Sequence, residues 1–272
     1  MDQRSTQGLR AYLIGDVSLK RADIPMLVCS LLSGLVDGVA FNAGSVFVSM
    51  QTGNTIFVAL GAAGLPVGDT QLWLRALISV AAFLVGCSIF SSVSRLLGHR
   101  SRINLCSSFL LQTVLVIISA ALAQTNIAPA FALTQVNPGT EIIDYSTKKH
   151  SNEEHFAVYI VIALLAIQAS GQITLSRSLG FNEIPSVVMT SLYCDLLSDP
   201  RLFALPLASN PKRNRRVASV VLFLIGGIIS GWLQRTRAGM PGVLWIVASM
   251  KLIMTISWLL WRPQNAIEKN GS

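Results

Sequence analysis

Apolar residues in this chain come in long blocks separated by short polar links, and the blocks have membrane length. Between Asp23 and Asp69 lie 45 residues with a single charge, Asp37, and further low-charge runs cover about 76–94, 103–123, 156–176, 184–198, 217–234 and 242–261. A stretch of about 20 apolar residues is enough for a helix to cross a hydrocarbon core about 30 Å thick. The Asn42-Ala43-Gly44 turn signal divides the first block into segments 25–41 and 45–65. The pattern predicts an all-α, polytopic helical membrane protein with six to eight transmembrane helices. Residues 1–23 read as a cytoplasmic tail, 24–261 as the membrane domain and 262–272 as a second tail.

Two of the eight segments are doubtful spans. Segment 45–65 carries Gln51, Thr52, Gly53, Asn54 and Thr55 in mid-run, and segment 184–198 is short, with Asp195 near its end. Either could be a broken or re-entrant helix, because non-helical backbone at membrane depth is tolerated where protein or water covers it. Sliding the chain by 140 residues sharpens the question. Phe41-Asn42 then falls on Phe181-Asn182, Leu65-Pro66 on Leu205-Pro206, Phe83-Leu84-Val85-Gly86 on Phe223-Leu224-Ile225-Gly226, and Arg95 on Arg235. Two homologous halves are expected, about 24–123 and 156–261, joined by a polar insertion at 124–155. Four spans in each half would make the repeats parallel and three would make them inverted.

Composition adds little to the fold and more to the exclusions. Charged residues are 12% of the chain against 52% hydrophobic, and mean hydropathy is +0.58, so a soluble domain is not expected. The net charge of +8 sits in the links, most densely at Lys212, Arg213, Arg215 and Arg216. That placement fits the cytoplasmic bias of Lys and Arg, and no nucleic-acid partner is expected. Cys29, Cys87, Cys106 and Cys194 all fall in apolar runs and read as buried hydrophobes. His150 and His155 share the insertion with Glu153 and Glu154 at a spacing that fits no zinc motif, and His99 reads as part of a basic link. No phosphate loop, nucleophile elbow or metalloprotease motif is present, so neither an enzyme nor a cofactor is expected.

Asp37 is the sharpest single signal, since a mid-helix carboxylate costs about 2.5–3.5 kcal/mol on the insertion scale and must find partners. Ser30, Ser33, Gly34 and Asp37 share a helical face, and Gln168, Gln172 and Ser176 repeat the device in a later segment. Such faces serve either helix packing or a solute pathway. Arg177 is the counterpart of Asp37 at the 140-residue offset, so the two could pair across the repeat interface, or Arg177 could reach out to the interface by itself. Met50-Gln51-Thr52-Gly53-Asn54, echoed by Met189-Thr190-Ser191, reads as a locally unwound helix or as a packing motif.

Gly34-Leu35-Val36-Asp37 with Phe41, then Val48, Met50-x-Thr52-Gly53-Asn54 and Phe83-Leu84-Val85-Gly86, resemble the YoaK-like membrane proteins, domain of unknown function 1275. Gly171-Gln172, Arg177 and Met189-Thr190 extend the resemblance through the second half, over about residues 24–261. The family usually has Ala after the Asp, Asn after the Gln and Gly after the second Thr, where this chain has Gly38, Ile173 and Ser191. The insertion looks like an elaboration of a compact bacterial core, which suggests a eukaryotic member, with fungi the expected source. The resemblance implies an integral membrane protein and no substrate.

The expected function is therefore a small-solute or ion permease in the lipid bilayer, with a polar site at Asp37, Asn42, Thr52, Gly53, Asn54, Gln172, Arg177, Asn182 and Thr190, and no metal. The competing expectation is a non-transporting assembly or scaffold protein whose polar residues only hold helices together. Substrate, organelle and oligomeric state are left open.

Overall fold

The computed structural model describes residues 12–66, 69–132, 155–185 and 187–264. Nine α-helices are named within them: α1 (Asp23–Gly44), α2 (Gln51–Gly61), α3 (Leu72–Leu97), α4 (Arg102–Gln124), α5 (Pro129–Ala132), α6 (Phe156–Ser178), α7 (Met189–Leu197), α8 (Pro211–Gln234) and α9 (Gly239–Leu259). The histidine and carboxylates expected at 150, 153 and 154 lie outside the described residues. Among the described residues there are no strands, only isolated bridges at Asp16–Ser101 and Val17–Pro263.

Six of the helices, α1, α3, α4, α6, α8 and α9, are long and apolar enough to cross a membrane. The protein is a multi-pass helical membrane protein. The two doubtful segments do not cross: α2 has 11 residues and α7 has 9, which at 1.5 Å per residue make about 16 and 14 Å against a core of about 30 Å.

Contacts at the helix ends assign each end to a face. Arg75, near the start of α3, donates through Nε to the carbonyl of Gly44 at 2.9 Å, so α3 begins on the face where α1 ends. Asn42 donates to Gln234 Oε1 at 2.8 Å, and Tyr159 to Gln71 Oε1 at 3.4 Å, which adds the end of α8 and the start of α6 to that face. On the opposite face Arg215 bridges Asp23 at 2.9 Å and Glu183 at 2.8 Å. There the segment around residues 15–18 joins the α3–α4 link to the end of the chain: Val17 N–H donates to Arg100 O and Ser18 N–H to Arg262 O, both at 3.0 Å. Both described chain ends thus share one face, and the ends of α4 and α6 that flank the 124–155 insertion lie on the other.

The second half passes through the same series as the first, a long helix, an irregular stretch, a short helix and two long helices. Helices α1 and α8 pack together, as do α6 and α3, and α4 packs against α9. Small residues set the first two crossings. A Cβ on Gly34 would lie 2.1 Å from the carbonyl oxygen of Phe223, one on Gly226 2.2 Å from that of Leu31, and one on Gly86 2.1 Å from Ser170 Oγ. Backbones approach this closely only where no side chain intervenes, the usual device of membrane helix pairs. Ser30 and Ser219 hydroxyls meet at 2.7 Å across the α1–α8 contact, and Ser230 donates to Leu35 O at 2.9 Å.

These distances give a paired prediction. Gly226→Val pushes two methyl groups into the backbone of α1 and should lower stability by about 3 kcal/mol or more, the upper range of overpacking costs. Gly231→Ala, on the same helix with nothing within 4 Å of the added Cβ, should leave stability unchanged or raise it by up to about 1 kcal/mol. Thermal unfolding of the two purified variants in detergent reads the difference.

Candidate functional site

The chain leaves α1 at Gly44 and turns back into the bundle. Ser45, with φ 58°, ends the helix, and Asp37 receives the returning strand. Its Oδ1 accepts from the Val48 and Ser49 amides, both at 2.9 Å, and its Oδ2 accepts from the Ser49 hydroxyl. Asp37 lies seven residues before Gly44, so the returning strand reaches about 10 Å below the helix end. The next turn is secured by Asn54, which accepts from Phe47 N at 3.1 Å, donates to Phe47 O at 2.6 Å and donates to Gln51 Oε1 at 2.7 Å. Ser79 of α3 donates to Phe47 O at 2.8 Å. From this tip α2 climbs back to its own face, where Gly61 meets the Trp73 ring.

The second tip is built differently. Helix α6 stops at Ser178, and the Ser176 hydroxyl lies between the carbonyls of Phe181 and Ile184, at 2.9 and 2.7 Å. The chain continues to Val187 and Val188 and then starts α7, which returns to the face of the chain ends. Arg177 is exposed in the last turn of α6, and Asp37 is not among its partners. The expected Asp37–Arg177 pair does not form. The 140-residue offset makes the two positions equivalent in sequence, but α1 and α6 run in opposite directions through the slab, so residues near equivalent helix ends come out near opposite faces.

Between the tips lies a cavity of about 980 Å³. Its wall takes Phe47, Ser49 and Met50 to Gly53 from the first tip and Val187 to Thr190 from the second. Helix α3 contributes Phe83, Cys87, Ser91, Ser94 and Arg95, the link after it His99, and α6 Ile173, Thr174, Arg177 and Ser178. Along both helices these residues step from mid-membrane to the face of the chain ends, so the cavity opens there. On the other side it is closed by the Asp37, Asn54 and Ser79 contacts under the first tip.

Residues 26–257 match the family described as "Protein of unknown function (DUF1275)". The chain belongs to that family. No curated protein and no solved structure matches it. Two of the residues that depart from the usual YoaK-like pattern have visible roles in this DUF1275 member. Gly38 faces Ser230, whose Oγ would be 2.7 Å from an added Cβ, and Ile173 lines the cavity.

The structure brings only some of the sequence-predicted site residues together. Thr52, Gly53, Arg177 and Thr190 line the cavity together. Asp37 and Asn54 are buried behind it and shape the tip. Asn42 bonds Gln234 at the far face, and the exposed Asn182 lies in a separate groove with Glu183 and Arg215. Gln172 belongs to a buried polar core that sequence reasoning missed. Lys251, in the middle of α9 and 0% exposed, donates to Gln112 Oε1 at 2.7 Å. With its amide oxygen turned to that ammonium, Gln172 accepts from Nζ at 3.0 Å and donates to Cys29 O at 3.0 Å and Ser33 Oγ at 3.2 Å. The Phe109 ring lies 5.9 Å from Nζ. Arg95 and His99 were missed as well, because a basic link and a cavity mouth look alike in sequence. Three cysteines differ from the buried reading: Cys87 lines the cavity, Cys106 is half-buried and Cys194 is exposed.

Asp37 should therefore act as a backbone acceptor and not as half of an ion pair. Asp37→Asn keeps an oxygen for the two amides and should cost about 1–2 kcal/mol, whereas Asp37→Leu strands both amides and should cost about 3 kcal/mol or more. Arg177→Gln should add to either without coupling, within about 0.5 kcal/mol. Lys251→Met, which leaves the Gln112 and Gln172 oxygens unpaired, should cost about 2 kcal/mol or more. Unfolding midpoints of the single and double variants check all three.

Proposed function

We propose that this protein is a small-solute or ion permease whose solute binds in the cavity between the two tips. The observation that carries the reading is the cavity itself: about 980 Å³ of space at membrane depth, lined by two interrupted segments and reaching the face of the chain ends at Arg95 and His99. A scaffold whose polar residues only hold helices together would not require such a space. Solute sites near the bilayer midplane, formed where helices are broken, are the common plan of secondary transporters.

The two halves act as inverted repeats in this reading. Each supplies three spanning helices and one re-entrant tip, and the two tips enter from opposite faces. The face of the chain ends carries Arg100, Arg201, Lys212, Arg213, Arg215 and Arg216, against Arg75, Arg235 and Arg237 at the other, which supports cytoplasmic termini. The cavity then opens to the cytoplasm. Export to the other side requires the first tip to part from α3 while the second closes on it.

Cys87 provides a built-in probe. In a Cys106→Ser/Cys194→Ser background, a membrane-impermeant thiol reagent should label Cys87 from the face of the chain ends in oriented vesicles, and labelling should fall about fivefold in the presence of a transported solute. Liposomes containing the purified protein should swell in iso-osmotic solutions of at least one solute class faster than empty ones. A Cys87 that is unreactive from both faces, or swelling no faster than that of empty liposomes for every class, overturns the permease.

A further inference from the structure

The cavity's charge inventory is one-sided. Among the described residues that line it, Arg95, His99 and Arg177 can carry positive charge, and there is no carboxylate. Asp37 sits behind the first tip, but its oxygens are already committed to Val48, Ser49 and the Ser49 hydroxyl, so it does not offer a cation site to the cavity.

Arg177 differs from the arginines that hold the fold together. Arg75 binds Gly44 O and Asp69, Arg213 binds the carbonyls of Leu202, Ala204 and Leu207, and Arg215 bridges two carboxylates. No carboxylate or carbonyl among the described residues takes the Arg177 guanidinium, although α6 places it on the cavity wall. A guanidinium presents a planar fork of donors that suits a carboxylate or sulfonate head.

A second observation has the same sign. Helices α2 and α7 both start at the cavity, from Met50 and Val188, and neither start has a side-chain cap. Their first-turn amides, at Gln51, Thr52 and Gly53 and at Met189 and Thr190, are donors without intrahelical partners at the positive ends of two helix dipoles. Between these polar groups the wall is apolar, with Phe83, Ile173 and Val187.

We infer that the solute of this cavity is a small organic anion, with one carboxylate or sulfonate head bound by Arg177 and the tip amides, and a short apolar body against Phe83, Ile173 and Val187. The inference rests on the permease reading of the same cavity and adds the chemical class of what it carries.

Three probes of one size and different charge test it: benzoate, benzamide and benzylammonium, with benzenesulfonate as an anion that stays ionised. Each is titrated against the purified full-length chain in detergent, and the unfolding midpoint is followed. Benzoate and benzenesulfonate should raise it in a saturable way, as any ligand of the folded state does, and benzamide and benzylammonium should not. Arg177→Gln should weaken the apparent affinity for the anions at least tenfold, and Arg177→Lys, which keeps the charge and loses the fork, by less than Arg177→Gln does. Arg235→Gln, at the other face, should leave it unchanged. Equal stabilisation by the neutral or cationic probe, no stabilisation by either anion, or wild-type affinity in Arg177→Gln overturns the inference.

Flux separates it from the reading beneath it. In proteoliposomes, benzenesulfonate that binds but is not carried removes the permease and leaves the anion site standing. Benzylammonium carried in preference to benzenesulfonate removes the anion and leaves the permease.

Discussion

A peptide chain that abandons helical geometry inside hydrocarbon exposes amides that lipid cannot satisfy, at several kcal/mol each. In this protein one carboxylate resolves that difficulty. Asp37 accepts two successive amides and a hydroxyl from the returning strand, and so takes the place of the carbonyls that a continuing helix would have supplied. Everything beyond it depends on that substitution. The Phe47 peptide is fixed by Asn54 and Ser79, α2 can begin at mid-depth, and the cavity acquires a floor. The cost of burying the carboxyl group is offset because both of its oxygens take hydrogen bonds, the condition under which intramembrane acidic residues persist.

The two tips solve the same problem with unequal means. The first is pinned from within the bundle by an anion and an amide side chain. The second is held by the single hydroxyl of Ser176 and, at the face of the chain ends, by the Arg215 bridge to Asp23 and Glu183. A charge-assisted clasp is stronger than a shared neutral hydroxyl. At mid-depth the second tip is therefore the more weakly held, and its ion pairs lie at the face where the cavity opens.

Much of this architecture was legible in the chain. The apolar runs located all six spanning helices, and the polar residues at 51–55 and the shortness of 184–198 marked the two segments that do not cross. Asp37 stood out because its cost demands partners, yet the partners are backbone amides, which have no sequence signature. Arg177 was legible as a cavity residue but not in its relation to Asp37, because a sequence offset does not say on which face equivalent positions emerge. Lys251 was hidden in a run apolar enough to swallow one charge. Its acceptors, Gln112 and Gln172, lie on two other helices, and no local pattern connects them.

Lys251 also bears on the order in which the protein is made. It lies at the middle of the last spanning helix, where an ammonium disfavours entry into the bilayer by about 2.5–3.5 kcal/mol. Its acceptors stand on α4 and α6, which leave the ribosome earlier. Helix α9 is made after both acceptor helices, so its ammonium can meet its oxygen ligands as soon as it enters the membrane. A chain cut before residue 251 would keep Gln112 and Gln172 but lose the cation that both of them receive.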